Sequence, residues 1–385
     1  MKKQGKSSAL RRAVPILAAA TVAAVFAGPI AGSAANLSSS SFSVKAQSAS
    51  EGNHFAIKPF FSGKAAPIPE PTAPVTTPPT TPAPSPTPTG PTLDPNYPSP
   101  TSEAQFTWAQ NADGTAKLMT FKGTVTDVVI PQTAVISGTP RAVTAIERKS
   151  FEAKGLTSVV IPDTVKAIGD YTFYNNKLTS VKLPSALITL EAYAFGSNLL
   201  SSVTIPDRLT VIGNYAFNNN RLTSLSLGSS VSTIESMAFS SNYLSSVKLP
   251  ASLTSMRYQA FATNNITSIA IPEGVTALEE GVFRYNRLTS VSLPSTLRSI
   301  GPRVFLSNMA LKELRIPASV TYIGDEIVET DIIARIYMEG NAPLTVSAAG
   351  RYGSFGTSSS SKVVYYKAGA TGYSNPWKGY ATATY

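Results

Sequence analysis

A solenoid built from a 22-residue unit is the fold this sequence predicts, and three observations predict it. Phenylalanine recurs at Phe151, Phe173, Phe195, Phe217, Phe239, Phe261, Phe283 and Phe305, each step being 22 residues. Asparagine follows three residues later at Asn176, Asn198, Asn220, Asn242, Asn264, Asn286 and Asn308, with Lys154 as the departure in the first copy. Each unit also carries an apolar run of the form Leu-x-x-Val-x-Leu/Ile-Pro, clearest at Leu178, Val181, Leu183 and Pro184 and continued by Leu187, Leu190 and Ala194. One such run means little. Eight in register mark a chain of units that bury a core only by stacking on one another.

The chain begins with a segment that reads as a secretory signal. Lys2, Lys3, Lys6, Arg11 and Arg12 precede an apolar run from Ala13 to Ile30, and Gly32-Ser33-Ala34-Ala35 offers a small-residue cleavage site. Ala13-Val14-Pro15 after Arg11-Arg12 is a poor twin-arginine match, so residues 1–35 are expected to follow the general secretory route. The competing reading is a retained membrane anchor, for which the eighteen apolar residues barely suffice. Removal of the five N-terminal cations leaves 27 basic against 22 acidic residues, a mild balance of +5. That is no nucleic-acid footprint, and it suits weak, salt-screened attraction to anionic polymers or membrane surfaces.

Residues 36–101 read as linker, first Ser-rich and aperiodic, then Pro/Thr-rich. Fourteen prolines between Pro67 and Pro100 fix φ and remove amide donors, which favours extended polyproline II. As a spacer the stretch spans roughly 100 Å at about 3.1 Å per residue. The alternative is a ligand for a polyproline-recognition module.

Residues 102–123 are expected to cap the first coil. Gln105 to Gln110 and Thr115 to Phe121 are strand-like, and Asn111-Ala112-Asp113-Gly114 is a turn with Gly available for positive φ. The repeats occupy 124–338. Their first copy reads Val125, Val128, Ile130 and Pro131, and a nine-residue insertion around Ser137-Gly138-Thr139-Pro140 delays Val143 and Ile146. In each unit the Leu-x-x-Val-x-Ile-Pro run is expected to form a short strand that proline ends. The small residue before each Phe leaves room at the turn, and the Asn column is expected to bond backbone groups of adjacent coils. One residue is inserted between Phe305 and Leu311. The ninth unit keeps Ile333, Ile336 and Met338, but Val328 replaces Phe and Asp331 replaces Asn. Residues 339–385 are expected to close the last coil, with a strand at Lys362 to Lys367 and Tyr373, Trp377 and Tyr380 as cover.

Chemistry is sparse. The absence of cysteine excludes disulfides, thiolate metal sites and cysteine nucleophiles. The one histidine, His54, lies in a polar stretch without partners for acid–base work. Glu279-Glu280 and Asp325-Glu326 read as solvated pairs in turns, and neither GxxxxGK[ST] nor HExxH occurs. No catalytic residue, cofactor site or metal site is therefore expected.

What remains is surface. With Leu, Val and Ile inward, the intervening strand residues face out. One column is Ser158, Ser180, Ser202, Ser224, Ser246, Ser268 and Ser290, ending at Glu313; the next is Val160, Lys182, Thr204, Ser226, Lys248, Ala270, Ser292 and Arg315. Small residues relieve crowding on a curved sheet, and they also make a hydroxyl-rich contact surface for an extended protein or glycan. Tyr171, Tyr193 and Tyr215 form a second stripe two residues before Phe. They read either as packed edge residues or as anchors, since tight contacts favour aromatics.

The repeated Leu-Thr-Ser-Val-x-Leu/Ile-Pro, Val-x-x-Ile and Ala-Phe-x-x-Asn runs resemble the BspA-like, Treponema-type leucine-rich repeat family, from about Gln105 to Tyr385. Ala112-Asp113-Gly114-Thr115-Ala116, Gly123-Thr124 and Ile130-Pro131 resemble its lead-in. The resemblance implies a right-handed, β-rich leucine-rich-repeat arc with a parallel sheet on its concave side, and bacterial secreted or surface proteins often tied to adhesion and protein binding. It implies no shared catalytic residues. The chain ends Ala381-Thr382-Ala383-Thr384-Tyr385 without a sorting motif or hydrophobic tail. The expected protein is thus secreted or at the cell surface and non-enzymatic. Its expected partners are an extracellular protein or surface glycan, or an anionic wall polymer that holds it by charge alone. Nucleic acid is not expected, and membrane only through an uncleaved signal segment.

Overall fold

The computed structural model describes residues 93–385 apart from 329–332, 334, 351 and 357–361. The expected signal segment, most of the linker, His54 and the Asp331 departure lie outside the described residues.

The described chain is a β-solenoid of stacked coils of about 22 residues joined by parallel sheets, with a single 3-10 turn at Glu103–Gln105 as its helical element. β1 (Phe106–Gln110) and β2 (Ala116–Phe121) pair antiparallel, with Gly114 at φ +82° closing the turn between them. β2 then pairs parallel with the first coil, so the hairpin seats Phe121 directly on Phe151 at a ring separation of 5.2 Å. β3 is Asp127–Val129, and Val128 and Ile130 are buried as expected. Val125 is not: it is 42% exposed, because the strand starts two residues later. The nine-residue insertion is a hairpin of β4 (Thr133–Ile136) and β5 (Thr139–Ile146), turned by Ser137 at φ 53° and Gly138 at φ 77°. Val143 and Ile146 of β5 rejoin the core.

The final residues of the proline-rich stretch, expected as linker, lie against the first coils. The Tyr97 hydroxyl donates to the Ile130 carbonyl at 2.7 Å, and the Asp94 amide donates to Gln132 Oε1 at 2.7 Å.

Each coil turns three times. At the proline step the carbonyl of Pro162, Pro184, Pro206, Pro250, Pro272, Pro294 or Pro317 accepts from the amide three residues on, a tight turn that Gly228 makes where Leu227 is not followed by proline. The Val-x-x-Ile segment gives two-residue parallel strands that run from β5 to Ser255–Met256 and again from Ala277–Leu278 to Thr345–Val346. This second parallel surface was not expected from the sequence. The third turn sets each Phe between two residues in the left-handed region, as with Tyr193 (φ 57°) and Ser197 (φ 53°) around Phe195, and the Asn follows the second of them. Non-glycine residues sit there at a cost of order 1–3 kcal/mol. The stacked coils fix them by bonding both of their amides: Tyr193 to Asn214 O and Ser197 to Asn218 O.

The core is the expected aromatic spine. All eight Phe rings are fully buried and stack at 5.0–6.2 Å from Phe151 to Phe305. Beside it each Asn bridges two coils. Asn220 Nδ2 donates to the carbonyls of Phe195 and Phe217, at 2.9 and 3.2 Å, and its Oδ1 accepts from the Leu200 amide at 3.0 Å. The same set recurs from Asn176 to Asn308, so every column member is satisfied in the interior. Where Lys154 stands in the first copy the side chain is exposed.

The outer strand departs from expectation in two coils. Ser158–Val160, Ser202–Thr204, Ser224–Ser226, Ser268–Ala270 and Ser290–Ser292 are strands, but residues 180–182 and 246–248 are not. These are the two coils with lysine at the outward position, Lys182 and Lys248. Lysine is a poor strand former, and Val160, Thr204, Ser226, Ala270 and Ser292, which replace it elsewhere, keep the strand.

At the C-terminal end Glu313–Ile316, Arg335–Met338, Val363–Tyr366 and Ala381–Thr384 form one parallel sheet. Val328 fills the place of the phenylalanine at 2% exposure. Trp377 and Tyr380 are buried as expected covers, and Tyr380 packs on the buried Phe355 at 5.4 Å. The strand Ala381–Thr384 was not anticipated, because Ala-Thr-Ala-Thr carries no strong apolar alternation.

Candidate binding surface

The second to fourth residues after each Leu of the outer run decide this surface. A strand residue alternates sides, so with the valine held inward the serine before it and the residue after it point out. The structure exposes all eleven candidates predicted on this face: Ser158, Ser180, Lys182, Ser202, Thr204, Ser224, Ser246, Lys248, Ser268, Ser290 and Arg315. Register aligns them where strands pair, with Ser202 beside Ser224, Thr204 beside Ser226, and Ser268 beside Ser290.

The three cations differ in what they can offer a ligand. Lys182 Nζ lies 2.9 Å from Asp163 Oδ2. Burial works against charge on Asp163, but the Ser185 amide and Lys182 outweigh it and hold the carboxyl below its ordinary range. Arg315 sits 3.2 Å from Glu339 and lies over the Tyr337 ring at 4.2 Å. Lys367, also on Glu339, is the main influence keeping that carboxyl low. Lys248 has no ion-pair partner among the described residues. It borders an open groove of about 700 Å³ with Ser246, Ser268, Ser290, Val291 and Ser292, placed where the ladder is interrupted. Hydroxyls, one free ammonium and a half-buried valine floor are suited to contact.

The predicted tyrosines come together as a stack. Tyr171, Tyr193 and Tyr215 lie 4.5 and 4.4 Å apart with nearly parallel rings. Lys149 lies over the Tyr171 ring, and Tyr174, which sequence reasoning missed, packs edge-on against Tyr171 and Tyr193. Ring faces spent on one another cannot stack on a ligand, so the stripe offers edges and hydroxyls. Burial, then the neighbouring Tyr215 and Tyr171, pushes the Tyr193 hydroxyl up to about 12. A second aromatic row, Tyr337 on Tyr365 at 5.1 Å, extends the face past Arg315. It was missed because these tyrosines fall in the ninth unit and the tail, where the repeat decays.

Among the described residues no three His, Cys, Asp or Glu side chains group closely enough to hold a metal ion. No helix there is long and apolar enough to cross a membrane.

A model described as the BspA type leucine rich repeat region matches six copies, over residues 144–262 and 210–332. Those matches cover the stacked Phe and Asn columns just described. The chain belongs to the BspA-type leucine-rich repeat family. Solved structures similar to this BspA-type chain include a leucine rich cell surface protein from Faecalibacterium prausnitzii, 21% identical over 63% of this chain and 89% of its own, with a TM-score of 0.35. A Treponema pallidum leucine rich repeat protein is 23% identical over 55% and 91%, with a TM-score of 0.37. The pneumococcal vaccine antigen PcpA is 16% identical over 69% and 92%, also at 0.37. No curated protein matches the chain.

Proposed function

We propose that this BspA-type protein is a non-enzymatic, adhesin-like binding protein, secreted or held at the cell surface. It engages an extended protein or glycan along its outward hydroxyl face. The observation that supports this reading is the exposed, in-register serine column with Lys248 over an open groove. Wide, shallow faces of solenoids serve extended partners. No catalytic residue and no cofactor enters this reading. Secretion rests on the signal-like residues 1–35, and the Faecalibacterium protein, a leucine rich cell surface protein by name, is in keeping with such a location.

The test is retention of the purified full-length chain on matrix proteins, neutral glycans and intact cell-wall material. It is run at low salt and at about 0.3 M salt, where exposed charges are largely screened. Specific binding predicts that one matrix protein or glycan retains the chain at both salts. It also predicts loss of that retention in Lys248→Ala/Ser268→Gln/Ser290→Gln, which fills the groove without adding charge. Retention on wall material alone, abolished by salt, would replace the reading with an envelope protein held by charge.

A further inference from the structure

The charges of the central coils are sorted by side. Between residues 161 and 305 the chain carries eight acidic residues. None of them falls in the stretches 174–182, 196–204, 218–226, 240–248, 262–270 and 284–292. These six stretches are the same part of six successive coils: the corner that follows Phe and the outer strand after it. They carry Lys177, Lys182, Arg221, Lys248, Arg284 and Arg287, six of the eleven cations in the interval.

The backbone stacks these stretches on one another. Leu199 donates to Leu178 O, Arg221 to Leu200 O, Tyr243 to Leu222 O, Asn265 to Leu244 O and Arg287 to Ile266 O, so the corner ladder is continuous. The cations therefore lie along one flank, with Lys177 and Arg221 two coils apart, or about 10 Å at a strand spacing of about 4.8 Å. Lys177, Arg221, Lys248 and Arg287 are exposed, and among the described residues only Lys182 of the six has an ion-pair partner. Arg284 lies over the Tyr285 ring. The acids that border the strip are already engaged: Asp207 accepts from the Ser229 amide and hydroxyl, and Glu273 from those of Ser295. Each of the six coils also sets two adjacent hydroxyl residues on the strip, such as Thr223-Ser224.

We propose that this acid-free flank binds an extended anionic polysaccharide, running along the solenoid axis from coil to coil. The inference rests on the binding-face reading and names its ligand class. Cations spaced by whole coils meet charged groups spaced by whole sugars, and the serine column meets the hydroxyls between them. Field from the flank's unpaired cations attracts a polyanion over a Debye length. The hydroxyls favour a sugar chain over a nucleic acid, whose bases would seek a row of open aromatic faces.

The test measures binding of the full-length chain to heparin, polygalacturonate, neutral dextran, polyphosphate, duplex DNA and matrix proteins across a salt series. The strip variant is Lys177→Gln/Arg221→Gln/Arg287→Gln. A charge-matched control, Arg148→Gln/Lys166→Gln/Arg298→Gln, changes exposed cations outside the six stretches. The expected result is binding to heparin or polygalacturonate and not to dextran, weakened at least about tenfold in the strip variant with a shallower salt dependence. The control should stay within about twofold of the parent, since the strip's cations are left intact. Equal losses in both variants would reduce the effect to net charge and overturn the proposal. So would tighter binding of polyphosphate or duplex DNA than of either polysaccharide. Failure on both anionic polysaccharides with retention on a matrix protein sinks this inference and leaves the binding-face reading standing. No retention on any material sinks both.

Discussion

The Phe–Asn corner and the outer serine strand belong to the same 22-residue unit, yet they behave differently along the solenoid. At the corner every coil repeats the same bonds: the amide of each Phe from Phe151 to Phe305 donates to the next coil without a gap. On the serine strand, pairing is lost at residues 180–182 and 246–248. The corner is interior. A missing ring leaves a cavity there, and an unpaired asparagine leaves buried donors and acceptors without water. The strand is half surface, so its outward residues can vary at the price of a few local bonds. Variation is tolerated where solvent can take over what the protein gives up, and that is also where a ligand can bind.

The largest break in this contrast should come from the corner. Phe217→Ala removes a fully buried ring between two stacked neighbours and should cost about 3–5 kcal/mol, read by chemical denaturation. Asn220→Ala deletes the bridge to Phe195, Phe217 and Leu200. Leaving those buried groups unpaired should cost about 2–3 kcal/mol, and exchange protection of the Leu200 amide should fall with it. A cost as small as that of a surface serine would show that water enters the corner and that the contrast is mistaken.

Smaller effects sharpen the surface side. Asp163 titrates below its ordinary range in the folded state. Its contribution is therefore present above the unfolded value near pH 4 and is lost as pH falls through the folded value. Both side chains of the Asp163–Lys182 pair are well exposed, so Asp163→Asn should flatten the acid limb of a stability–pH curve by at most about 1 kcal/mol. The smallest effect is expected from Lys182→Thr/Lys248→Thr, a gain of a few tenths of a kcal/mol as the outer ladder closes. New exchange protection at residues 180–182 and 246–248 would show it. No change in protection would mean that lysine is not what interrupts the strand.

Much of this was legible from residue spacing. A strict period of 22 in Phe and Asn leaves few ways to stack, and the buried columns appear where that period placed them. The caps were legible at Gly114, Trp377 and Tyr380 because a solenoid must cover its ends. The insertion was visible as a delay, but its hairpin was not, since Thr133 to Ile146 lacks a strong alternation. Left-handed residues such as Tyr193 and Ser197 gave no signal: they are neither glycine nor a consistent residue type, and only paired amides from adjacent coils hold them there. At the candidate surface the serine column followed from the strand period. Which cation stays free did not, because Asp163 reaches Lys182 from the preceding coil, and Glu339 reaches Arg315 from the following one.

By itself the sequence determined the repeat length, the aromatic spine, the asparagine bridge and the outward serines. All of these depend on residues a fixed distance apart within one unit, and local chemistry repeats with that distance. The tertiary structure decided where the outer ladder breaks, which charges are already neutralised and that Lys177, Arg221, Lys248 and Arg287 share one acid-free flank. Those depend on how one coil meets the next, and contacts across coils are set by the geometry of the whole stack.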